Sequence, residues 1–249
     1  MPMNASSRPV ALVTGATVRL GRALALRLAR EGHDLVLHHR RAPDEALART
    51  LRECEDLGAE VLAVRADLGE PASPGAVVRA GLERFGRLDL LVGSAASFPS
   101  TPTLADAVAA WDAILAVNLK APFLLAAAAA DALGDAGGSM VFLADIYAGF
   151  PRKGYLPYSV SKAGLVALTR GLAVDLAPRV RVNAVAPGFI LPPPEGFEPH
   201  REEELLRRIP LARSGSEEDI VEAVLYLARA PYVTGQVLAV DGGRTLSLG

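Results

Sequence analysis

The sequence is poor in cysteine, in aromatic residues and in net charge. Its 249 residues include one cysteine, Cys54, and only 5% of them are aromatic. A single cysteine excludes an internal disulfide, which fits a reducing compartment and predicts a cytoplasmic protein in which Cys54 is only a spacer on a helix. The 26 Lys and Arg residues nearly balance the 28 Asp and Glu residues, so the net charge is −2. This balance argues against a nucleic-acid or anionic-membrane partner held by bulk charge.

Long hydrophobic runs are also missing. The N-terminus has no apolar signal-peptide region, and the alanine-rich run 126–130 is far shorter than the roughly 20 residues that a membrane span needs. We therefore expect no membrane segment. Hydrophobic residues still make up 51% of the chain, which is enough for one large core. Because no linker, repeat or charge block divides it, the sequence predicts a single domain over 1–249.

Short apolar runs alternate with helical patterns along the whole chain. The runs predict strands over 10–14, 34–39, 60–66, 88–94, 139–144, 180–185 and 236–240. The patterns between them predict helices over 43–57, 74–85, 111–133, 159–176 and 217–228, besides one after the first strand. This alternation indicates a Rossmann-type α/β fold with a doubly wound parallel sheet, whose ligands bind at the carboxyl ends of the strands. The proline-rich segment 187–200 predicts a loop, and a mobile substrate lid is expected near 189–205.

The first strand-to-helix turn is typical of dinucleotide binding. Gly15 permits a tight turn, Gly21 permits close packing of helix on strand, and the N–H groups at the helix start can hold a pyrophosphate. Enzymes that prefer NAD carry an acidic residue at the end of the second strand. The residues at that place here are basic, namely His38, His39, Arg40 and Arg41. Together with Arg19 on the turn, they predict a site for the 2′-phosphate of NADPH.

The strongest chemical signal is Tyr158 followed four residues later by Lys162 on a predicted helix. This spacing places both side chains on one helix face. A nearby ammonium favours the phenolate, so we expect the pKa of Tyr158 to fall from near 10 toward the working pH. Asp67 ends the third strand, where it either accepts a hydrogen bond from adenine or caps a helix. The isolated histidines, His33 and His200, predict no metal site.

Taken together, the motifs resemble those of the short-chain dehydrogenases/reductases over the whole chain. The matching features are the glycine turn, Asp67-Leu68, Asn118, the Tyr158/Lys162 pair, Pro187-Gly188 and the terminal residues 240–243. The resemblance implies that Tyr158 donates a proton, that Lys162 binds the nicotinamide ribose, and that Asn118 organises a helix and a proton-relay water. The implied cofactor contacts are Gly15, Arg19, Leu20, Gly21, His38, His39, Arg40, Arg41, Asp67, Leu68, Ser94, Ala95, Tyr158, Lys162, Pro187 and Gly188. A homotetramer is implied as well, and two Ala- and Leu-rich helices favour it.

Within that family the chain most resembles the pteridine reductases. Asp145 lies thirteen residues before Tyr158, where most of the family has serine, and Phe98 matches an aromatic residue that stacks a pterin. Arg19 replaces a glycine of the turn. The resemblance implies that Phe98, Arg19, Asp145 and Tyr158 contact the substrate, with Asp145 also catalytic. Gly93-Ser94, in place of two asparagines, and Ala96, in place of a serine, depart from the pattern.

Three functions compete on these grounds. The first is an NADPH-dependent reductase of a dihydropterin, with Tyr158 as the proton donor. The second is a carbonyl reductase of the same family, such as a 3-oxoacyl-[acyl-carrier-protein] reductase. The third is a non-catalytic NADP(H)-binding protein, which the Asn118/Tyr158/Lys162 set disfavours because such a protein needs no proton donor. Trp111 and Phe123 are expected to pack between helices rather than to contact a ligand.

Overall fold

The fold is built on one parallel β-sheet. The computed structural model describes residues 8–41, 44–190 and 199–247. Within them lie the strands β1 (Val10–Thr14), β2 (Asp34–His39), β3 (Val61–Arg65), β4 (Leu90–Gly93), β5 (Ser139–Leu143), β6 (Arg181–Pro187) and β7 (Val237–Val240). Their order in the sheet is β3-β2-β1-β4-β5-β6-β7, and each neighbouring pair is parallel. The predicted doubly wound α/β fold is confirmed.

Helices connect the strands and cover both faces of the sheet. They are α1 (Arg19–Arg30), α2 (Glu45–Asp56), α3 (Ser73–Phe85), α4 (Leu104–Leu115), α5 (Ala121–Ala136), α6 (Leu156–Asp175), α7 (Pro199–Arg207) and α8 (Glu217–Arg229). A π-helix, Ala116–Lys120, joins α4 to α5, and short 3₁₀-helices span Ile146–Ala148 and Arg244–Ser247. Predicted and observed bounds of most elements differ by one to three residues, the usual uncertainty at element ends.

Successive side chains along each strand point to opposite faces of the sheet, so the core lies in two layers. Val10 and Leu12 of β1 face one layer, which includes apolar side chains of α3, α5 and α6. Ala11 and Val13 face the other, where residues of α1, α2 and α8 pack. Because both faces are covered, β1, β2, β4 and β5 are buried along their whole lengths. Cys54 is fully buried in the second layer, so it is a core residue rather than a spacer.

The helical run before β5 begins earlier than the predicted residue 111. Thr103 accepts a hydrogen bond from the backbone N–H of Asp106, and the Asp106 carboxylate accepts one from the backbone N–H of Thr103. This capping box satisfies N–H groups that a helix start leaves open, so α4 begins at Leu104. The hydrophobic pattern alone does not report the cap, because the first turn of α4 lies largely on the surface.

The prediction of a loop over 187–200 is wrong at both ends. Pro187 is the last residue of β6, where it pairs with Val240 of β7 beyond the end of the register with β5, and the Gly188 N–H donates to the Val240 carbonyl over 2.9 Å. At the other end α7 is helical, and the ion pairs Glu203–Arg207 and Glu204–Arg208, each 3.1 Å, support it. Residues 191–198 lie outside the described part, so the lid expected near 189–205 stays a prediction.

One helical run passes a test for membrane spans. Leu104–Ala136, with 33 residues, is long and apolar enough by length and composition to cross a membrane. A single such run is weak support, because core helices of soluble proteins pass the same test. Leu125 and Leu133, both in this run, are fully buried in the core. We therefore interpret the run as a cover of the sheet; charged and amide side chains such as Asp112 and Asn118 divide its apolar stretches.

Candidate active site

The predicted site residues gather at the carboxyl edge of the sheet, beginning with the glycine turn after β1. Gly15 has φ +65°, in the left-handed region, and a Cβ added there would lie 3.0 Å from the Cα of Ala95. A Cβ added to Gly21 would lie 2.0 Å from the Gly15 carbonyl oxygen, a distance too short for any side chain at this position. Arg19 adopts φ +49°, a conformation usually left to glycine. The turn therefore needs both glycines, and it presents backbone N–H groups as a dinucleotide cradle does.

The basic stretch after β2 divides into buried and exposed halves. His38 is buried: its Nδ1 accepts from the Gly15 N–H over 3.2 Å, and its Nε2 donates to the Ala66 carbonyl over 3.0 Å. Burial lowers the pKa of His38, so the ring is neutral and holds the glycine turn to β2. His39 is also buried, and its Nδ1 donates to the Arg41 carbonyl over 3.0 Å.

The exposed positive charges beside the glycine turn therefore belong to arginines. Arg19, Arg40 and Arg41 are exposed, whereas His38 is neutral. Asp44 is the first acidic residue beyond β2, and its carboxylate is engaged in accepting the Leu47 N–H over 2.8 Å as the cap of α2. This edge therefore fits the 2′-phosphate of NADPH better than the free ribose hydroxyls of NADH.

Loops after β3 and β4 form the walls of the cradle. The Asp67 carboxylate accepts the Gly69 N–H over 2.9 Å, which makes an Asx turn, and Leu68 is buried. Backbone N–H groups of Ser94 and Ala95 both donate to the hydroxyl oxygen of Thr14 over 3.0 Å. The buried Thr14 thus ties the β4 loop to the end of β1 in a way that needs no asparagine at position 94.

Asn118 lies at the centre of the π-helix Ala116–Lys120 and is buried. Its Oδ1 accepts the Ser97 N–H over 2.7 Å, while its Nδ2 donates to the Ser97 carbonyl over 2.9 Å and to Ser161 Oγ over 3.1 Å. Single π-helical turns inside α-helices often mark functional sites. Here the side chain links the β4 loop to α6, the helix that carries Tyr158 and Lys162.

Tyr158, Asp145 and Lys162 form the chemical centre. The Tyr158 hydroxyl donates to Asp145 Oδ2 over 2.8 Å, and Asp145 Oδ1 accepts the Tyr147 N–H over 2.8 Å. Lys162 Nζ donates to the Leu143 carbonyl over 2.6 Å and lies 5.6 Å from the centroid of the Tyr158 ring. Both Tyr158 and Lys162 are buried, as a shared helix face directed at the sheet edge requires.

The electrostatics of this centre differ from the expectation for Tyr158. Burial, followed by the charge and hydrogen bond of Asp145, raises the pKa of Tyr158 well above its usual value of 10. Burial also raises the pKa of Asp145, and it lowers the pKa of Lys162 to about 8. The expected drop in the pKa of Tyr158 is therefore wrong for this arrangement, because desolvation and a carboxylate at 2.8 Å oppose the phenolate.

An aromatic wall flanks the proton donor. Phe98 is 47% exposed, its ring centroid lies 4.4 Å from that of Tyr158 in an edge-on arrangement, and it stacks on Tyr155 at 4.5 Å. The sequence predicts a substrate contact for Phe98 but none for Tyr155. The signal for Tyr155 is its spacing, since it stands three residues before Tyr158 at the start of α6. No group of three or more His, Cys, Asp or Glu residues suited to a metal occurs within the described ranges.

Comparisons with known proteins agree with this geometry. A family model described as enoyl-(acyl carrier protein) reductase matches residues 15–245. A Streptomyces violaceoruber protein assigned as ketoacyl reductase 2 of the granaticin polyketide synthase is 40% identical over 255 residues, covering 99% of this chain and 100% of the relative. The 3-oxoacyl-[acyl-carrier-protein] reductase of Staphylococcus aureus (strain Mu50) is 33% identical over 238 residues, covering 94% and 96%.

Solved structures with the same fold span nearly the whole chain. A short-chain dehydrogenase/reductase of Serratia marcescens, solved as a double mutant, has a TM-score of 0.88 and 33% identity, with 95% of this chain and 98% of that chain covered. A blue fluorescent protein from a metagenomic library, solved in complex with NADPH, has a TM-score of 0.87 and 33% identity, with 95% and 97% covered. The chain therefore belongs to the short-chain dehydrogenase/reductase family of oxidoreductases, as its motifs predict.

Proposed function

We propose that the protein is an NADPH-dependent reductase of a polar double bond, with Tyr158 as the proton donor. The observation that carries the proposal is the centre itself, in which a buried phenol lies 2.8 Å from Asp145 and the buried ammonium of Lys162 lies 5.6 Å from its ring. A non-catalytic NADP(H)-binding protein has no use for such a proton donor. The sequence led to the same set of residues through the family motif.

The cofactor is NADPH, and the cradle fits it. Gly15 and Gly21 allow the close backbone approach, and the exposed Arg19, Arg40 and Arg41 suit its 2′-phosphate. His38 and His39 act indirectly, by holding the turn and the strand end. The remaining proposed contacts are Leu20, Asp67, Leu68, Ser94, Ala95, Pro187 and Gly188. When bound, the nicotinamide supplies a hydride to the substrate.

The protein's own residues donate the proton and stabilise the group that donates it. Tyr158 gives its hydroxyl proton to the oxygen or nitrogen of the reduced double bond, and its high pKa keeps that proton available at neutral pH. Lys162 stabilises the phenolate that remains, because its ammonium is held 5.6 Å from the ring by the Leu143 carbonyl. Asn118 keeps α6 and the β4 loop in register around both residues.

The named relatives favour a 3-oxoacyl thioester as the substrate. One is assigned as a ketoacyl reductase, the other is a 3-oxoacyl-[acyl-carrier-protein] reductase, and both align over nearly the whole chain. They support a carbonyl reductase more strongly than a pteridine reductase, the class that the sequence motifs resemble. A carbonyl needs from the site a proton at oxygen, which Tyr158 can give, and the half-exposed ring of Phe98 offers an apolar surface beside it.

A dihydropterin stays a second candidate because of Asp145. A carboxylate with a raised pKa can share a proton with a ring nitrogen, which a serine cannot do. The half-exposed ring of Phe98, 4.4 Å from Tyr158, can stack on a flat heterocycle. Asp145 also caps the 3₁₀-helix Ile146–Ala148 through the Tyr147 N–H, so a structural role exists beside the proposed catalytic one.

NADPH oxidation with two substrates tests the proposal. The purified protein is assayed with acetoacetyl-N-acetylcysteamine and with dihydrobiopterin, alongside the Tyr158→Phe variant. We expect turnover of at least one substrate and a loss of 10²-fold or more in the variant, the usual scale for a general acid. Turnover of the thioester alone favours the relatives' chemistry, and turnover of the pterin alone favours Asp145. NADPH binding without turnover of either would mean that the protein is a non-catalytic binder.

We further propose that the protein is a cytoplasmic homotetramer. Helices α4 and α6 contact each other and expose apolar side chains, since Leu104, Val108 and Val174 are 76%, 78% and 77% exposed. Trp111 and Phe123 are 37% and 47% exposed, so each adds apolar surface to this face, and their packing between helices stays a prediction. A second copy is the natural cover for such a face. Light scattering that returns the monomer mass of 26.0 kDa would refute this assembly.

A further inference from the structure

Aromatic rings lead outward from the proton donor to a positive charge. Phe98 contacts Tyr158 at 4.4 Å and Tyr155 at 4.5 Å, and the guanidinium carbon of Arg152 lies 4.6 Å from the centroid of the Tyr155 ring. We name these four residues the aromatic row. Its inner end is the group that gives the proton, its middle is an exposed apolar face, and its outer end is a cation stacked on a ring.

A second arginine approaches from the C-terminal part of the chain. The guanidinium carbons of Arg152 and Arg244 lie 5.8 and 5.9 Å from the centroid of the same ring, that of Tyr147. Tyr147 in turn donates its N–H to Asp145 over 2.8 Å. Two guanidinium groups from distant parts of the sequence therefore border the segment that carries Asp145.

The charge of Arg244 acts on the Asp145 carboxylate, where it opposes the rise in pKa that burial causes, but the two groups do not form an ion pair. Neither Arg152 nor Arg244 forms an ion pair within the part of the chain that the structure describes, and the buried Nε of Arg244 has no hydrogen-bond partner there. Asp241, near in sequence to Arg244, accepts the N–H groups of Gly243 and Thr245 over 2.9 and 2.8 Å. An unsatisfied buried donor is costly, and a bound anion is one ligand that satisfies it.

We propose that Arg152 and Arg244 form an anion subsite, which binds a carboxylate or phosphate group on the part of the substrate remote from the reduced double bond. The inference rests on the proposed reductase function and specifies its substrate class. The aromatic row explains the geometry, because an apolar or flat substrate segment can lie along Phe98 between Tyr158 and Arg152. Planar guanidinium groups suit both anions, since each can accept paired hydrogen bonds.

Matched pairs of substrates separate charge from reactivity. The carboxylate pairs are 5-oxohexanoate with its methyl ester, and dihydrofolate with dihydrobiopterin. The phosphate pair is acetoacetyl-CoA with acetoacetyl-N-acetylcysteamine. Within each pair the reduced group is the same kind and the charge differs, so the ratio of the two KM values measures recognition of the anion. The carboxylate and phosphate pairs together identify the source of the anion.

Arg152→Gln is the variant that tests the subsite. We expect it to raise the KM of at least one charged member at least tenfold more than that of its neutral partner, with a smaller effect on kcat. Arg152→Lys keeps the charge but not the planar guanidinium group, so its ratio of KM values should lie between those of the wild type and Arg152→Gln. Arg79→Gln, at an exposed position on α3, is the matched control and should behave as the wild type. Equal changes for both members of every pair, or no change in any, would overturn the subsite.

A binding measurement separates failure of the subsite from failure of the reductase function. Glutarate and 4′-phosphopantetheine are titrated by calorimetry into the wild type, Arg152→Gln and Arg79→Gln, with saturating NADP⁺ present. We expect Arg152→Gln alone to weaken binding of at least one of them at least tenfold. If the wild type reduces no substrate, the reductase function is wrong, and this titration still decides the subsite. Equal dissociation constants for the wild type and Arg152→Gln, or no binding of either probe, would refute it.

Discussion

The hydroxyl group of Tyr158 donates a hydrogen bond of 2.8 Å to Oδ2 of Asp145. The phenol proton therefore lies between two acidic groups, and burial raises the pKa of each. Protons leave such a pair in steps that belong to the pair rather than to either residue. Since the charge of Asp145 further raises the pKa of Tyr158, the tyrosine stays protonated to a higher pH than it would beside a neutral residue.

Replacing Asp145 with asparagine should move the alkaline limb of the pH profile. Tyr158 acts as an acid only while it is protonated, so activity falls as the pH rises through its pKa. Asparagine removes the charge that raises this pKa, and the limb should shift to lower pH by roughly one unit or more. The measurement is kcat/KM for NADPH-dependent reduction from about pH 8 to about pH 12, a range that extends above the ordinary tyrosine pKa of about 10. A variant with the wild-type alkaline limb would show that Asp145 does not control the proton on Tyr158.

Asp145→Ser should separate the two substrate classes. If Asp145 shares a proton with a pterin ring nitrogen, the serine variant loses roughly 10²-fold or more on a dihydropterin, while reduction of a simple ketone is kept or improved. The rate of ketone reduction is kept or rises because the phenolate of Tyr158 no longer lies beside a carboxylate. Both rates are measured as kcat on one preparation. Reduction of dihydropterin at the wild-type rate would contradict both the catalytic role of Asp145 and the main reason for choosing a pterin.

Lys162 should make the protein less stable at neutral than at alkaline pH. Its pKa falls from 10.5 to about 8 on folding because it is buried, so the unfolded chain binds this proton more readily. The cost is fully present below pH 8, amounts to about 3 kcal/mol, and disappears as the pH rises toward 10.5. Lys162→Met should remove this dependence and also lower activity 10²-fold or more.

Urea denaturation at pH 7 and pH 10 measures the effect of Lys162. The free energy of unfolding of the wild type should rise relative to that of Lys162→Met between the two pH values. Lys153→Met removes an exposed lysine and should follow the wild type, which controls for the loss of one positive charge. Parallel stabilities for the wild type and Lys162→Met at both pH values would show that burial of the ammonium carries no such cost.

The exposed arginines after β2 should decide the choice of cofactor. Arg40→Asp places a carboxylate where a 2′-phosphate would bind, so we expect the affinity for NADPH to fall at least tenfold while that for NADH rises. Charge-assisted hydrogen bonds of about 1.5–3 kcal/mol each set this scale. Titration of both cofactors, with Arg52→Asp on the exposed side of α2 as the control, measures the ratio. Equal binding of NADPH and NADH by the wild type would refute the phosphate site.

The sequence predicts those features of the fold and the site that depend only on the spacing of nearby residues. Tyr158 and Lys162 share a helix face because four residues make about one turn, and the apolar runs gave the strands for a similar reason. The burial of His38 was missed, since a strand covered on both faces hides every side chain and the sequence shows only its basic character. Tyr155 and Arg244 reach the site through tertiary packing of a loop-bordered helix start and a C-terminal turn, which no periodicity reports.

Gly21 should be the least replaceable residue of the cofactor cradle. A Cβ at this position would lie 2.0 Å from the Gly15 carbonyl oxygen, a backbone atom that cannot move without opening the turn. We expect Gly21→Ala to abolish NADPH binding and to lower the free energy of unfolding by roughly 3 kcal/mol or more, as severe steric substitutions do.

Gly75→Ala in α3 is the matched control, because a Cβ there meets nothing within 4 Å. It should leave stability unchanged or raise it by up to about 1 kcal/mol, since alanine is the better helix former. Thermal unfolding with and without NADPH measures both variants, and a Gly21→Ala protein that NADPH still stabilises would mean that the turn can bind the cofactor in another conformation.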